Sequence, residues 1–77
     1  VVKVTESIVS VKIGSVEHPM TKEHYIEWIY VETKHGGQRR ILTPDNKPEA
    51  TFALTDGDEP VAVYAYCNLH GLWMTKL

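Results

Sequence analysis

Most of the apolar runs in this chain place their apolar residues at every second position, and that period leaves little room for helix. Val9, Val11 and Ile13 alternate with Ser10 and Lys12, as expected of a strand with one buried face. From His24 to Thr33 two faces separate, with His24, Ile26, Trp28 and Tyr30 on one and Tyr25, Glu27, Ile29 and Val31 on the other. The β-branched and aromatic content of that run favours strand over helix. Glu49 to Leu54 alternates with Ala50, Phe52 and Leu54 inward, and Val61 to Tyr66 is apolar on both faces, as in a central strand. Gln38 to Leu42 and Leu72 to Leu77 complete the set.

Turn chemistry separates these runs. Gly14-Ser15 and Glu17-His18-Pro19 end the first; proline lacks a ladder donor and biases His18 to extended backbone. Lys34-His35-Gly36-Gly37 reads as a hairpin turn, and Thr43–Pro48 and Thr55–Pro60 as two more. About six strands with no helix define a small antiparallel β-sandwich, one domain spanning residues 1–77.

A domain of 77 residues buries a modest core and commonly relies on a metal, a disulfide or a partner subunit. One cysteine excludes an internal disulfide and suits a reducing compartment, hence a cytoplasmic setting. A net charge of −2 with scattered Lys and Arg offers no basic stripe for nucleic acid. No apolar run approaches the roughly 20 residues of a membrane-spanning helix. The chain opens on Val1-Val2-Lys3, already in a strand-like run, so the natural polypeptide is expected to continue upstream.

The remaining signal is chemical. Cys67-Asn68-Leu69-His70-Gly71-Leu72-Trp73 sets the only thiol three positions before an imidazole, close enough for one turn to aim both at a metal ion. His18, in a loop, and His24, at the head of a strand, add two more donors. His35 sits at a hairpin tip and reads as solvated; Lys22 and Glu23 read as solvated loop charges and Met20 as a gap filler. Trp28, Phe52, Tyr64, Tyr66 and Trp73 are expected in the core and the wall of the site. A thiolate with several imidazoles is too soft a set for magnesium or calcium and leaves zinc, iron and copper open.

With these residues in view, His18-Pro19-Met20, His24-Tyr25-Ile26-Glu27-Trp28-Ile29 and Cys67–Trp73 resemble the iron domain of superoxide reductases, the neelaredoxin and desulfoferrodoxin family. The resemblance covers nearly the whole chain, including Lys47-Pro48-Glu49-Ala50. It implies an immunoglobulin-like sandwich with a mononuclear non-haem iron held by equatorial histidines, here His18, His24 and His70, and an axial thiolate, here Cys67. Cys67 and His70 are then also the catalytic candidates. The implied activity is one-electron reduction of superoxide to hydrogen peroxide, with re-reduction by a small carrier such as rubredoxin, in a dimer or tetramer. The family also carries a Glu-Lys-His-x-Pro motif before a strand like Val1–Ile13, supplying a fourth histidine. No such motif occurs in these 77 residues, so an N-terminally shortened domain is expected. The alternative is a non-catalytic metalloprotein holding zinc or electron-transfer iron in a three-His, one-Cys site; a metal-free binding sandwich is a third reading.

Overall fold

A computed structural model describes residues 1–14 and 18–77; the Ser15 half of the first expected turn and Glu17 lie outside them. Among the described residues seven strands form, at Val2–Thr5 (β1), Ile8–Lys12 (β2), Ile26–Thr33 (β3), Gly36–Ile41 (β4), Glu49–Ala53 (β5), Pro60–Cys67 (β6) and Gly71–Lys76 (β7). They build two antiparallel sheets, ordered β1-β2-β5 and β4-β3-β6-β7, and no helix occurs among the described residues. The expected all-β sandwich is therefore present, with one strand more than the alternation indicates. The first run folds back on itself, with Glu6 at φ 55° in the turn. A single hairpin thus replaces one long strand.

The core between the sheets is formed by Val9 and Val11 of β2, Ala50 and Phe52 of β5, Ile29 and Val31 of β3, and Val63 and Ala65 of β6. Inward Ala50, Phe52 and Leu54 match the sequence reading. On β3 the reading fails at one point. Pairing with β6 slips between Ile26 and Trp28, so Glu27 is an extra residue and its carbonyl accepts from Leu42 N–H at 2.8 Å. A bulge of this kind reverses side-chain parity. Ile26 consequently joins Ile29 and Val31 in the core, while Trp28 and Tyr30 face outward.

Tyr64 and Tyr66 face outward with them, which corrects their placement in the core. Trp28 stacks on Tyr66 and Tyr30 lies against Tyr64, each pair at 5.9 Å between ring centroids. Tyr64 Oη donates to Glu32 Oε1 at 2.9 Å, and that bond holds the phenol above its usual pKa of 10.0. Tyr30 also lies across Gly37 of β4, where an added Cβ would overlap the Tyr30 hydroxyl and sit 2.8 Å from Val31 O. Gly37→Ala is therefore expected to cost about 1–3 kcal/mol in chemical denaturation, as overpacking typically does.

Side chains from β4 close one flank of the sandwich. Gln38 Nε2 donates to Ala53 O at 2.8 Å, and the Arg40 guanidinium lies 6.0 Å from the Phe52 ring centroid. The opposite flank is a groove between β1–β2 and β7, lined by Val2, Val11, Ile13, Ala65 and Trp73.

The Lys34–His35 turn is tied to the β5–β6 loop. Asp58 Oδ1 accepts from His35 N at 3.1 Å and from Glu59 N at 2.9 Å. Donation from the Thr33 hydroxyl is the main reason the carboxyl sits below its ordinary 3.8, with these two amides adding to it. A depressed folded pKa stabilises above the unfolded value and is lost as pH falls through the folded one. The parent is thus expected to be more stable than Asp58→Asn at neutral pH, the gap closing below about pH 3.8 in thermal melts across pH.

Candidate metal centre

Register brings the site together. β3 and β6 pair antiparallel with Ile26 opposite Cys67, so the segment entering β3 lies beside the turn leaving β6. His18 and His24 arrive on the first, Cys67 and His70 on the second. His24 precedes β3 and does not head it: Thr21 and His24 exchange backbone hydrogen bonds at 2.9 and 3.1 Å, and Thr21 Oγ1 lies 3.2 Å from both the carbonyl and amide of His24. Met20 fills the gap below, packed on the core with Sδ accepting from Ile26 N at 3.4 Å.

The four expected donors converge. One ligand atom from each of His18, His24, Cys67 and His70 lies within 4.8 Å of all the others. At metal–nitrogen and metal–sulfur distances of about 2.0–2.3 Å, donors on opposite sides of an ion stand about 4.4 Å apart, so a small contraction seats one metal. Ring centroids of His18 and His24 are 4.8 Å apart, and those of His24 and His70 4.7 Å, with the planes near perpendicular.

Individual atoms point the same way. His18 Nδ1 lies 2.8 Å from Pro19 O. A carbonyl only accepts, so Nδ1 carries the proton and Nε2 keeps its lone pair, the usual arrangement for a metal-binding imidazole. His18 Nε2 and His24 Nε2 are both enclosed without a hydrogen-bond partner. Such atoms are costly unless something absent from the protein chain binds them. Burial, with the nearby His18 and His70, holds His24 below its usual 6.5, which leaves it neutral and ready to ligate at pH 7. His70 Nδ1 lies 3.8 Å from Cys67 Sγ, putting this nitrogen on the thiol side. Cys67 is fully buried and belongs to the core cluster, whereas His70 is exposed. The donors fit a thiophilic transition metal.

His35 stands apart, paired with Asp58 at 3.5 Å. Trp73 does wall the site, edge-on to His18 at 5.8 Å between centroids. The Asn68 N–H, which a turn of this kind can aim at the sulfur, instead donates to Tyr25 O at 3.2 Å. The Asn68 side chain has a role that spacing did not disclose. Its Oδ1 accepts from Tyr25 N at 2.9 Å and its Nδ2 donates to Glu23 O at 3.0 Å; an asparagine beside a candidate ligand was the only signal.

Fold and side chains together define a small β-sandwich with one His/Cys cluster that could hold a metal ion. The chain belongs to the desulfoferrodoxin family, which it matches over residues 1–76. It is 53% identical over 70 residues to a desulfoferrodoxin of Clostridium acetobutylicum, covering 90% of this chain and 53% of that protein. It is 45% identical over 76 residues to one of Syntrophotalea carbinolica, covering 99% of this chain and 59% of that protein. The crystal structure of a superoxide reductase from Treponema pallidum superposes with a TM-score of 0.93 at 51% identity, covering 99% of this chain and 62% of that one. The chain thus spans between about half and three-fifths of the length of these relatives.

Proposed function

We propose that residues 1–77 act as the iron domain of a superoxide reductase, reducing superoxide to hydrogen peroxide with an electron from a small carrier of the rubredoxin kind. The observation that carries this is the convergence of three imidazoles and one buried thiol at the paired ends of β3 and β6. Similarity to the Treponema superoxide reductase supports it.

His18, His24, His70 and Cys67 would hold the iron, which when bound supplies one electron per superoxide and is restored by the donor. The chain's residues do the rest. Complete burial of Cys67 shields the sulfur from water and oxidants. Pro19 fixes the His18 tautomer, and Trp73 closes the flank beside it. Exposure of His70 leaves the approach for a small anion, and for the two protons peroxide requires, on its side of the site. Among the described residues no helix is long and apolar enough to cross a membrane, and a reducing cytoplasm suits the single free thiol. Exposed Ile41, Leu72 and Met74 beside the outer aromatic rows favour a homo-oligomer.

The four donors also suit a closed zinc site, so the test must separate redox chemistry from metal binding. Ferrous protein mixed anaerobically with superoxide is expected to yield one hydrogen peroxide per superoxide, with one iron oxidised. One peroxide per two superoxide, with oxygen released, indicates dismutation. A protein that binds iron but leaves superoxide untouched is the non-catalytic metalloprotein.

A further inference from the structure

The side chain of Asn68 brackets a ligand it does not touch. We infer that Asn68 is the positioning residue that sets His24 against the Cys67–His70 turn, so that the centre is largely formed before metal arrives. This rests on the reading that these side chains bind one metal ion. Its two amide bonds grip the peptide groups on either side of His24: the Glu23 carbonyl before it and the Tyr25 N–H after it. The backbone adds a third link, from Asn68 N to Tyr25 O. Asn68 itself lies between Cys67 and His70 in one turn. A single residue therefore ties three of the four donors into one frame, across 43 and 45 positions of sequence.

Only a primary amide of this length satisfies both contacts. Tyr25 N–H can only donate and Glu23 C=O can only accept, which fixes the amide orientation. Aspartate keeps the first bond but faces the Glu23 carbonyl with a second acceptor. Alanine removes both bonds. The Thr21–His24 turn holds His24 locally but does not link it to β6; that link is Asn68. Residues that orient metal ligands typically contribute about 10–100-fold in metal affinity.

The test is a double-mutant cycle read by cobalt(II) titration, using cobalt's visible bands on the parent, Asn68→Asp, His24→Ala and the double variant. The expected result is a loss of about 10–100-fold in cobalt affinity for Asn68→Asp. In the His24→Ala background the same substitution should change affinity less than about twofold, because the group it positions is gone. An unchanged affinity in Asn68→Asp, or an equal loss in both backgrounds, overturns the role. A parent that binds no cobalt overturns the metal reading itself. Should Asn68→Asp not fold, hydrogen exchange in the unmutated, metal-free protein decides. A Tyr25 amide protected like those inside β3 supports the clamp, and one exchanging like an open loop amide overturns it.

Discussion

Cys67→Ser is expected to erase the visible thiolate-to-iron charge-transfer band of the oxidised protein and to weaken iron binding more than a hundredfold. That exceeds the about 10–100-fold cost of removing a supporting residue, because the substitution takes away a ligand. Serine is nearly the size of cysteine, yet its hydroxyl is a poor ligand for a thiophilic ion at neutral pH. The metal-free variant should also lose about 1–3 kcal/mol, since position 67 is fully buried in the core cluster and its hydroxyl would need a hydrogen bond there. Spectra and binding are therefore to be compared well below the unfolding midpoint of the variant. A band that survives the substitution places the thiol off the metal.

Phe52→Ala is expected to have the largest effect on the fold, about 3–5 kcal/mol. Phe52 is 2% exposed and is the largest of the fully buried side chains. Its removal leaves a void between the sheets, under the Arg40 guanidinium. A chain of this size is held together by roughly 4–12 kcal/mol, so the metal-free variant should be partly unfolded at room temperature. Phe52→Leu, which keeps much of the volume, should cost only about 1–2 kcal/mol. Metal at a thousandfold excess over its Kd adds about 4 kcal/mol to the folded state. Excess zinc or cobalt should therefore refold Phe52→Ala, followed by circular dichroism, and should fail to do so when Cys67→Ser is added.

Much of this was legible because a strand with one wet face writes its period into the sequence. Ala50-Thr51-Phe52-Ala53-Leu54 is that pattern undisturbed, and its inward residues are buried as the pattern requires. The His/Cys cluster was legible for a different reason. Few structural roles call for Cys67 and His70 in one turn with His18 and His24 elsewhere, and the structure gathers all four.

What escaped the sequence lies where one residue is added or one long-range bond decides. Glu27 bulges out of β3, and nothing in Ile26-Glu27-Trp28 distinguishes an extra residue from a regular one. The reversal of parity follows from it. Glu6 turns the first hairpin at positive φ without the glycine or asparagine that usually marks such a turn. Tyr30, Tyr64 and Tyr66 are apolar enough for a core, yet they pave the outer face, where their hydroxyls can find partners such as Glu32. The Asn68 bonds span more than forty residues, and locally only an asparagine beside a candidate ligand marks them.

The most direct measurement of the central claim is X-ray absorption at the iron edge of protein loaded with one equivalent of ferrous iron. Three or more nitrogen donors and a single sulfur are predicted, the sulfur contribution disappearing in Cys67→Ser. A shell of oxygen and nitrogen alone in the parent, or a sulfur signal that persists in the variant, would contradict a centre built from His18, His24, His70 and Cys67.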